Sequence, residues 1–192
     1  GKMRVRSSRG NRYASVFVDC ASNYKHVKCH PLKSDYPRIY KERNIEAGRA
    51  PSILRTDGAG EMTSADFEQS LLHDQTFHQK SVPYSQFQNG RAEAAIRTVS
   101  TRARTLMADS ALPAKYWDYA MEAAAHLENT TQPHAPGSTA TAYERFHGRA
   151  PAGGFLRPFG CYAVAHLGKS RVKDGKLSDR GRPGVHLGLG FT

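Results

Sequence analysis

Apolar and polar positions divide this chain into a run of short strands and helices. Residues 13–19, Tyr-Ala-Ser-Val-Phe-Val-Asp, become continuously apolar, which predicts a buried strand. Ala21-Ser22-Asn23 reads as a turn, and Lys25 to Leu32, weakly alternating, as the hairpin partner. Asp35-Tyr36-Pro37 places an N-cap before a first-turn Pro and predicts a short helix ending near Ala47-Gly48. Pro51 to Arg55 is a second apolar run, ending at Asp57. Ser64 to Leu72 predicts a helix with Phe67, Leu71 and Leu72 on one face, Phe77 to Val82 a strand, and Pro83 to Gly90 a mobile loop.

The longest periodic segment runs from Arg91 to Met107. Ala92, Ala95, Ile96, Val99, Ala103, Leu106 and Met107 form its apolar stripe. Glu93, Arg97, Ser100 and Arg104 recur at helical spacing on another face, so a first-turn carboxylate is followed by two arginines. Leu112-Pro113 opens a further helix containing Trp117, Ala120, Met121, Ala124 and Leu127, with Trp117 read as core. A Pro/Gly/Ser/Thr linker over 132–140 precedes one helical turn at Tyr143 to Phe146. After Phe155 the pattern turns to short β-like pieces at 161–165 and 184–187. This order predicts an α/β fold: a mixed sheet flanked by helices over 1–150, followed over 151–192 by the start of a small β-rich, SH3-like module.

Charge narrows the partners. Lys plus Arg is 28 against 17 for Asp plus Glu, a formal net charge of +11. The excess is clustered. Residues 1–12 hold Lys2, Arg4, Arg6, Arg9 and Arg12 with no acid, and a second basic segment covers 169–182. Clustered cations favour a polyanion, with salt-sensitive binding through counterion release; the bland alternative is a solubilising surface. Three cysteines, Cys20, Cys29 and Cys161, have no framework spacing and suit a reducing compartment. No apolar run reaches transmembrane length, and no signal peptide is read at the N-terminus.

Within this basic chain, Asp57 closes a strand and Glu93 opens a helix, with 35 residues between them. Two carboxylates at element ends are the ligands that a pair of Mg²⁺ ions uses for in-line phosphoryl displacement. Taken singly, Asp57 also reads as a turn residue and Glu93 as a first-turn helix acid. Arg97 and Arg104 are either solvated helix charges or DNA contacts, and Gln88, Asn89 and Gly90 either a plain helix entry or a loop touching DNA. His26, Cys29 and His30 match no zinc-ligand spacing.

Several segments together resemble Ty1/copia-type retrotransposon integrases, the catalytic core of a Pol polyprotein. Leu54 to Glu61 resembles their R-S-D-N-G-G-E segment and Gln88 to Glu93 their Q-N-G-x-A-E segment. Leu112-Pro113 with Trp117, Asn129 with Pro133, Thr141 to Glu144 with Gly148 and Pro151, Arg157 to Cys161, and Lys176 to Gly188 follow in the family's order. The resemblance covers essentially the whole chain. It implies an RNase H-like fold, a D,D-35-E triad holding Mg²⁺ (or Mn²⁺), and strand transfer of element DNA into target DNA. Partners would be element ends, target DNA and further copies of the chain, with no membrane, in the nucleus, a virus-like particle or elsewhere inside the cell. Asp57 and Glu93 fall on the second and third acids. The first would lie three residues before Gly1, leaving the first strand truncated. Asp19 matches a different position, where an acid caps a turn. The chain departs from the family at Gly58, Phe87 and Ala94 to Arg97, which bears on chemistry more than on fold. The rival readings are a non-catalytic remnant that binds nucleic acid through its basic ends, an RNase H-like nuclease that cuts without joining, and a basic scaffold with no nucleic-acid function.

Overall fold

The computed structural model describes residues 1–57, 60–80, 89–133, 135–152, 156–168 and 180–188. Strands β1 (Tyr13–Val18) and β2 (Lys25–His30) form an antiparallel hairpin with Tyr13 opposite His30 and Phe17 opposite His26. Its turn is closed by Asp19, whose carboxylate accepts from Ser22 N at 2.8 Å and Ser22 Oγ at 2.6 Å. Helix α1 (Tyr36–Ala47) begins where Asp35 and Pro37 predict and ends at Gly48, whose φ of 68° is the left-handed stop that glycine tolerates. Strand β3 (Ile53–Thr56), helix α2 (Ala65–His73) and strand β4 (Phe77–Lys80) follow, and β3 pairs with β4 in parallel. Helix α3 (Gly90–Ser110), helix α4 (Trp117–Thr131) and the short α5 (Ala142–His147) lead to an antiparallel pair, β5 (Tyr162–His166) and β6 (Gly181–Val185).

The fold is α/β, but the expected single mixed sheet needs correction. Among the described residues the strands form three separate two-stranded ladders, β1–β2, β3–β4 and β5–β6. No described strand lies hydrogen-bonded between β1 and β3. They are joined instead by side-chain packing: Phe17 of β1 and Leu54 of β3 share a cluster with Tyr36, Ile39, Tyr40, Phe67 and Leu71 from α1 and α2. A second cluster lies between the hairpin, α3 and α4, built on Val27, Val99, Ala103, Trp117, Ala120, Met121 and Ala124, with Phe159 inserted from the C-terminal segment. Helices α3 and α4 meet there largely through small side chains, Ala103 of α3 and Ala120, Ala124 and Ala125 of α4.

Two helix faces also differ from expectation. Leu72 is 77% exposed and Ile96 47% exposed. Each lies about 100° round its helix from a buried neighbour, Leu71 and Ala95, so the apolar stripe is narrower than the sequence pattern. The predicted strand to Val82 is described only to Lys80, and the loop at 83–88 lies outside the described residues.

The motif residues beyond the acids have structural jobs. Asn129, 2% exposed, donates to Lys25 O and accepts from Lys25 N, both at 2.9 Å, so a helix side chain completes the backbone bonding of β2. Trp117 Nε1 donates to Val5 O at 3.0 Å. Thr141 and Glu144 make a capping box on α5. Gly160 has φ of 81°, and a Cβ there would sit 2.4 Å from Ser110 Cβ, so the Phe159–Gly160 turn closes on the end of α3 only without a side chain.

Candidate active site

Strand alternation sets the direction of Asp57. Thr56 points inward, 5% exposed, with its hydroxyl bonded to His78 Nε2 at 2.8 Å, which ties the ends of β3 and β4 together. Asp57 is the next residue and is exposed. Glu93 is the acid in the first turn of α3 and is likewise exposed, because Ala95 and Val99 carry the buried face. The start of α3 carries the positive end of the helix dipole. That start is fixed to the β1–β2 turn: Arg91 Nη1 donates to Cys20 O at 2.6 Å.

The other expected site residues are spread along or before α3. Asn89 is its N-cap, and Gly90 is its first residue rather than part of a loop. Gln88 lies outside the described residues. Arg97 is exposed on α3. Arg104 is exposed too, but its guanidinium is laid along its own helix, donating to Ser100 O at 3.3 Å and to Thr101 Oγ1 at 3.0 Å. The second basic segment is described only from Arg180 onward.

No group of three or more His, Cys, Asp or Glu that could hold a metal ion occurs among the described residues. Asp19 acts as the turn cap. Burial pushes its carboxyl up, but the two Ser22 bonds and the charges of Arg49 and Arg43 outweigh that and hold it below its ordinary value. His26, Cys29 and His30 do not converge. His30 donates from Nδ1 to Leu32 O at 2.7 Å and pairs through Nε2 with Ser15 Oγ at 2.9 Å. Cys29 Sγ points to Asp118 O at 3.8 Å. His26 is buried among Tyr24 and Phe146. Burial first, then the charges of Arg43, Lys28 and His147, lowers its pKa to about 3, with Asp19 opposing.

Two cavities among the described residues are lined by residues other than Asp57 and Glu93. One of about 880 Å³ lies between α1 and α2, lined by Arg38, Lys41, Asp66 and His73 among others; one of about 30 Å³ lies between α4 and the C-terminal segment. Exposed strand and helix ends suit a long substrate lying across a surface better than a small molecule in a pocket.

One polar centre has no counterpart in the sequence pattern. Asp118, in the first turn of α4, is completely buried. Its Oδ2 accepts from Arg9 Nε and Asn11 Nδ2, both at 2.8 Å, and Ser7 adds a third side-chain bond. Burial raises this carboxyl, and the three donors more than reverse it. Arg9 also bonds Glu122 at 2.7 Å and stacks over Tyr119 at 4.1 Å. Arg9 therefore spends its charge in ion pairs at the surface and drops out of the basic patch predicted for residues 1–12. Partners more than a hundred residues apart leave no local signal for such a contact.

Over 194 residues, 99% of this chain, the sequence is 30% identical to the retrovirus-related Pol polyprotein from transposon TNT 1-94 of Nicotiana tabacum. The chain is thus a homologue of one segment of a retrotransposon Pol polyprotein. It spans 14% of that polyprotein's length. No protein-family model matches the chain. Its fold is similar to that of a chain in the simian T-cell lymphotropic virus intasome bound to PP2A regulatory subunit B56 gamma: TM-score 0.65 and 18% identity, covering 95% of this chain and 65% of the other. It is also similar to the HTLV-2 integrase catalytic core domain in complex with magnesium. The trimeric form gives a TM-score of 0.59 at 19% identity, over 73% of this chain and 89% of the other. The dimeric form gives 0.57 at 18%, over 70% and 83%. The α/β fold of this Pol segment is thus that of integrase catalytic cores.

Proposed function

We propose that this Pol segment is the catalytic core of an integrase that joins element DNA to target DNA by metal-assisted phosphoryl transfer. The observation that carries the reading is one exposed acid at the end of β3, Asp57, and one in the first turn of α3, Glu93, within an integrase-core fold. Both are hard oxygen donors and fit Mg²⁺ (or Mn²⁺) in kind; the HTLV-2 core holds magnesium. In number they fall short, since no three-ligand group occurs among the described residues. The completing acid is proposed to come from sequence upstream of Gly1. Bound by these acids, the ions would stabilise the entering and leaving oxygens of an in-line displacement.

The rest of the site binds and orients DNA. Arg97 supplies a phosphate contact two positions from the buried face of α3, and Arg104, held along the same helix, extends it. Asn89 and Gly90 present the helix start, with Gln88 beside them in the sequence. The trimeric and dimeric HTLV-2 forms and the viral intasome support a homo-oligomer working on paired DNA ends. Residues 1–150 would form the core and 151–192 the start of an SH3-like module, for which the β5–β6 pair is the support. A nuclear or otherwise intracellular setting goes with this reading.

A second reading, a remnant that binds nucleic acid without chemistry, is favoured by the shortfall of ligands among the described residues. Mg²⁺-dependent 3′-processing and strand transfer, measured on this chain and on one extended upstream, separates the two. Joining by the extended chain that Asp57→Asn abolishes supports the integrase. Joining that survives Asp57→Asn sinks the metal assignment. Cutting without joining makes the protein a nuclease.

A further inference from the structure

The N-terminal segment is basic, and it is also built. Its backbone is anchored at four points: Met3 N donates to Arg12 O at 2.8 Å, Ser7 N to Asn11 O at 2.9 Å, Ser8 N to Lys115 O at 2.8 Å, and Val5 O accepts from Trp117. Beneath it, Ser7 and Asn11 are buried against the fully buried Asp118. Arg9 pairs with two acids beside it, Asp118 and Glu122, through bonds of 2.8 and 2.7 Å. What remains on the outside is Lys2, Arg4 and Arg6, all exposed, with exposed Lys115 beside them and no acid anywhere in residues 1–12.

We infer that Lys2, Arg4 and Arg6 form a preformed docking edge for the backbone phosphates of duplex DNA, held in place by the Arg9–Asp118 clasp. A loose basic tail loses conformational freedom when it meets a polyanion; here much of that ordering is already complete, because the fold fixes the backbone. The edge lies at the Tyr13 end of β1, whereas the start of α3 is tied to Cys20 just beyond the other end. Six strand residues separate the two by about 20 Å. The edge begins four residues after the acid proposed upstream of Gly1, so it extends DNA contact outward from the acids toward the Tyr13 end of β1. The choice of duplex DNA over other polyanions rests on the integrase reading.

The test is binding of labelled duplex DNA, without divalent metal, across a salt series. Replacing Lys2, Arg4 and Arg6 together by Ala should weaken binding and flatten the slope of log affinity against log salt by about 0.9 for each phosphate no longer neutralised. A control with the same charge change elsewhere, Lys41→Ala with Arg145→Ala and Arg149→Ala, should keep most of the slope. Asp118→Asn, where circular dichroism shows it folded, should lower affinity with the slope retained, since the cations Lys2, Arg4 and Arg6 stay and their ordering is lost. Equal losses in the two triple variants, or no loss in the first, overturn the inference. Equal loss of single-stranded RNA and duplex DNA binding overturns the choice of duplex DNA. Because no metal is present, a failed docking edge leaves the integrase reading intact, and an intact edge with dead strand transfer removes catalysis alone.

Discussion

Asp118 and Asp57 are the same residue type in opposite settings. Asp118 is fully buried at the start of α4 and takes bonds from Ser7, Arg9 and Asn11. Asp57 stands exposed just past the end of β3, as Glu93 stands exposed in the first turn of α3. A buried carboxylate survives only when donors saturate it, and a saturated carboxylate has little left for a metal. An exposed acid at an element end contributes little to the fold and lies where solvent and ligands reach it. The clasp serves the structure, and the pair faces outward.

Substitution should pull the two regions apart. The largest effect belongs to the exposed pair. In the chain extended upstream, Asp57→Asn or Glu93→Gln should lower strand transfer by about a thousandfold, roughly 4 kcal/mol of barrier. Both should leave stability within about 0.5 kcal/mol in urea unfolding. A large loss of stability would erase the contrast with Asp118. Next comes Asp118→Ala, expected to cost about 3 kcal/mol by the same unfolding measurement. That is the low end for a broken buried pair, because Arg9 is about one-third exposed and keeps some hydration. A change below about 1 kcal/mol would show that the clasp is only a surface pair.

Asn129→Ala should cost about 2 kcal/mol, since it leaves the buried Lys25 N–H and C=O without their side-chain partner. The smallest effect, taken over a single pH unit, is a pH dependence. His26 is held neutral in the fold, with its pKa near 3, below the unfolded value of 6.5. Between those values the unfolded chain binds more protons, so the stabilising contribution is complete above 6.5 and is lost as pH falls toward 3. Unfolding free energy should drop by up to about 1.4 kcal/mol per pH unit in that window. His26→Phe should reduce this slope. An unchanged slope would put the acid sensitivity of this window on other groups.

Much is legible along the chain because its signals are local. The β1–β2 hairpin, the Asp35–Pro37 entry and Gly48 exit of α1, the Ser64 start of α2 and the long α3 follow from short patterns and are present. Trp117 is core, as expected. The apolar pattern overreaches at Leu72 and Ile96, because an apolar residue at the margin of a helical stripe looks the same in sequence whether or not a neighbour covers it. The candidate acids are legible as residue types at element ends, since strand alternation and helix position are local properties.

The sequence by itself determined the elements, the cationic excess, the family resemblance and the candidate carboxylates, because each depends on residues close together or on simple composition. Tertiary structure decided which charges remain available. Arg9 reads like its basic neighbours until Asp118 and Glu122, more than a hundred positions away, take up its charge in ion pairs, while Lys2, Arg4 and Arg6 stay exposed. It also divided the strands into separate ladders joined through Phe17 and Leu54. Burial and long-range pairing depend on the packed whole, so no local pattern encodes them.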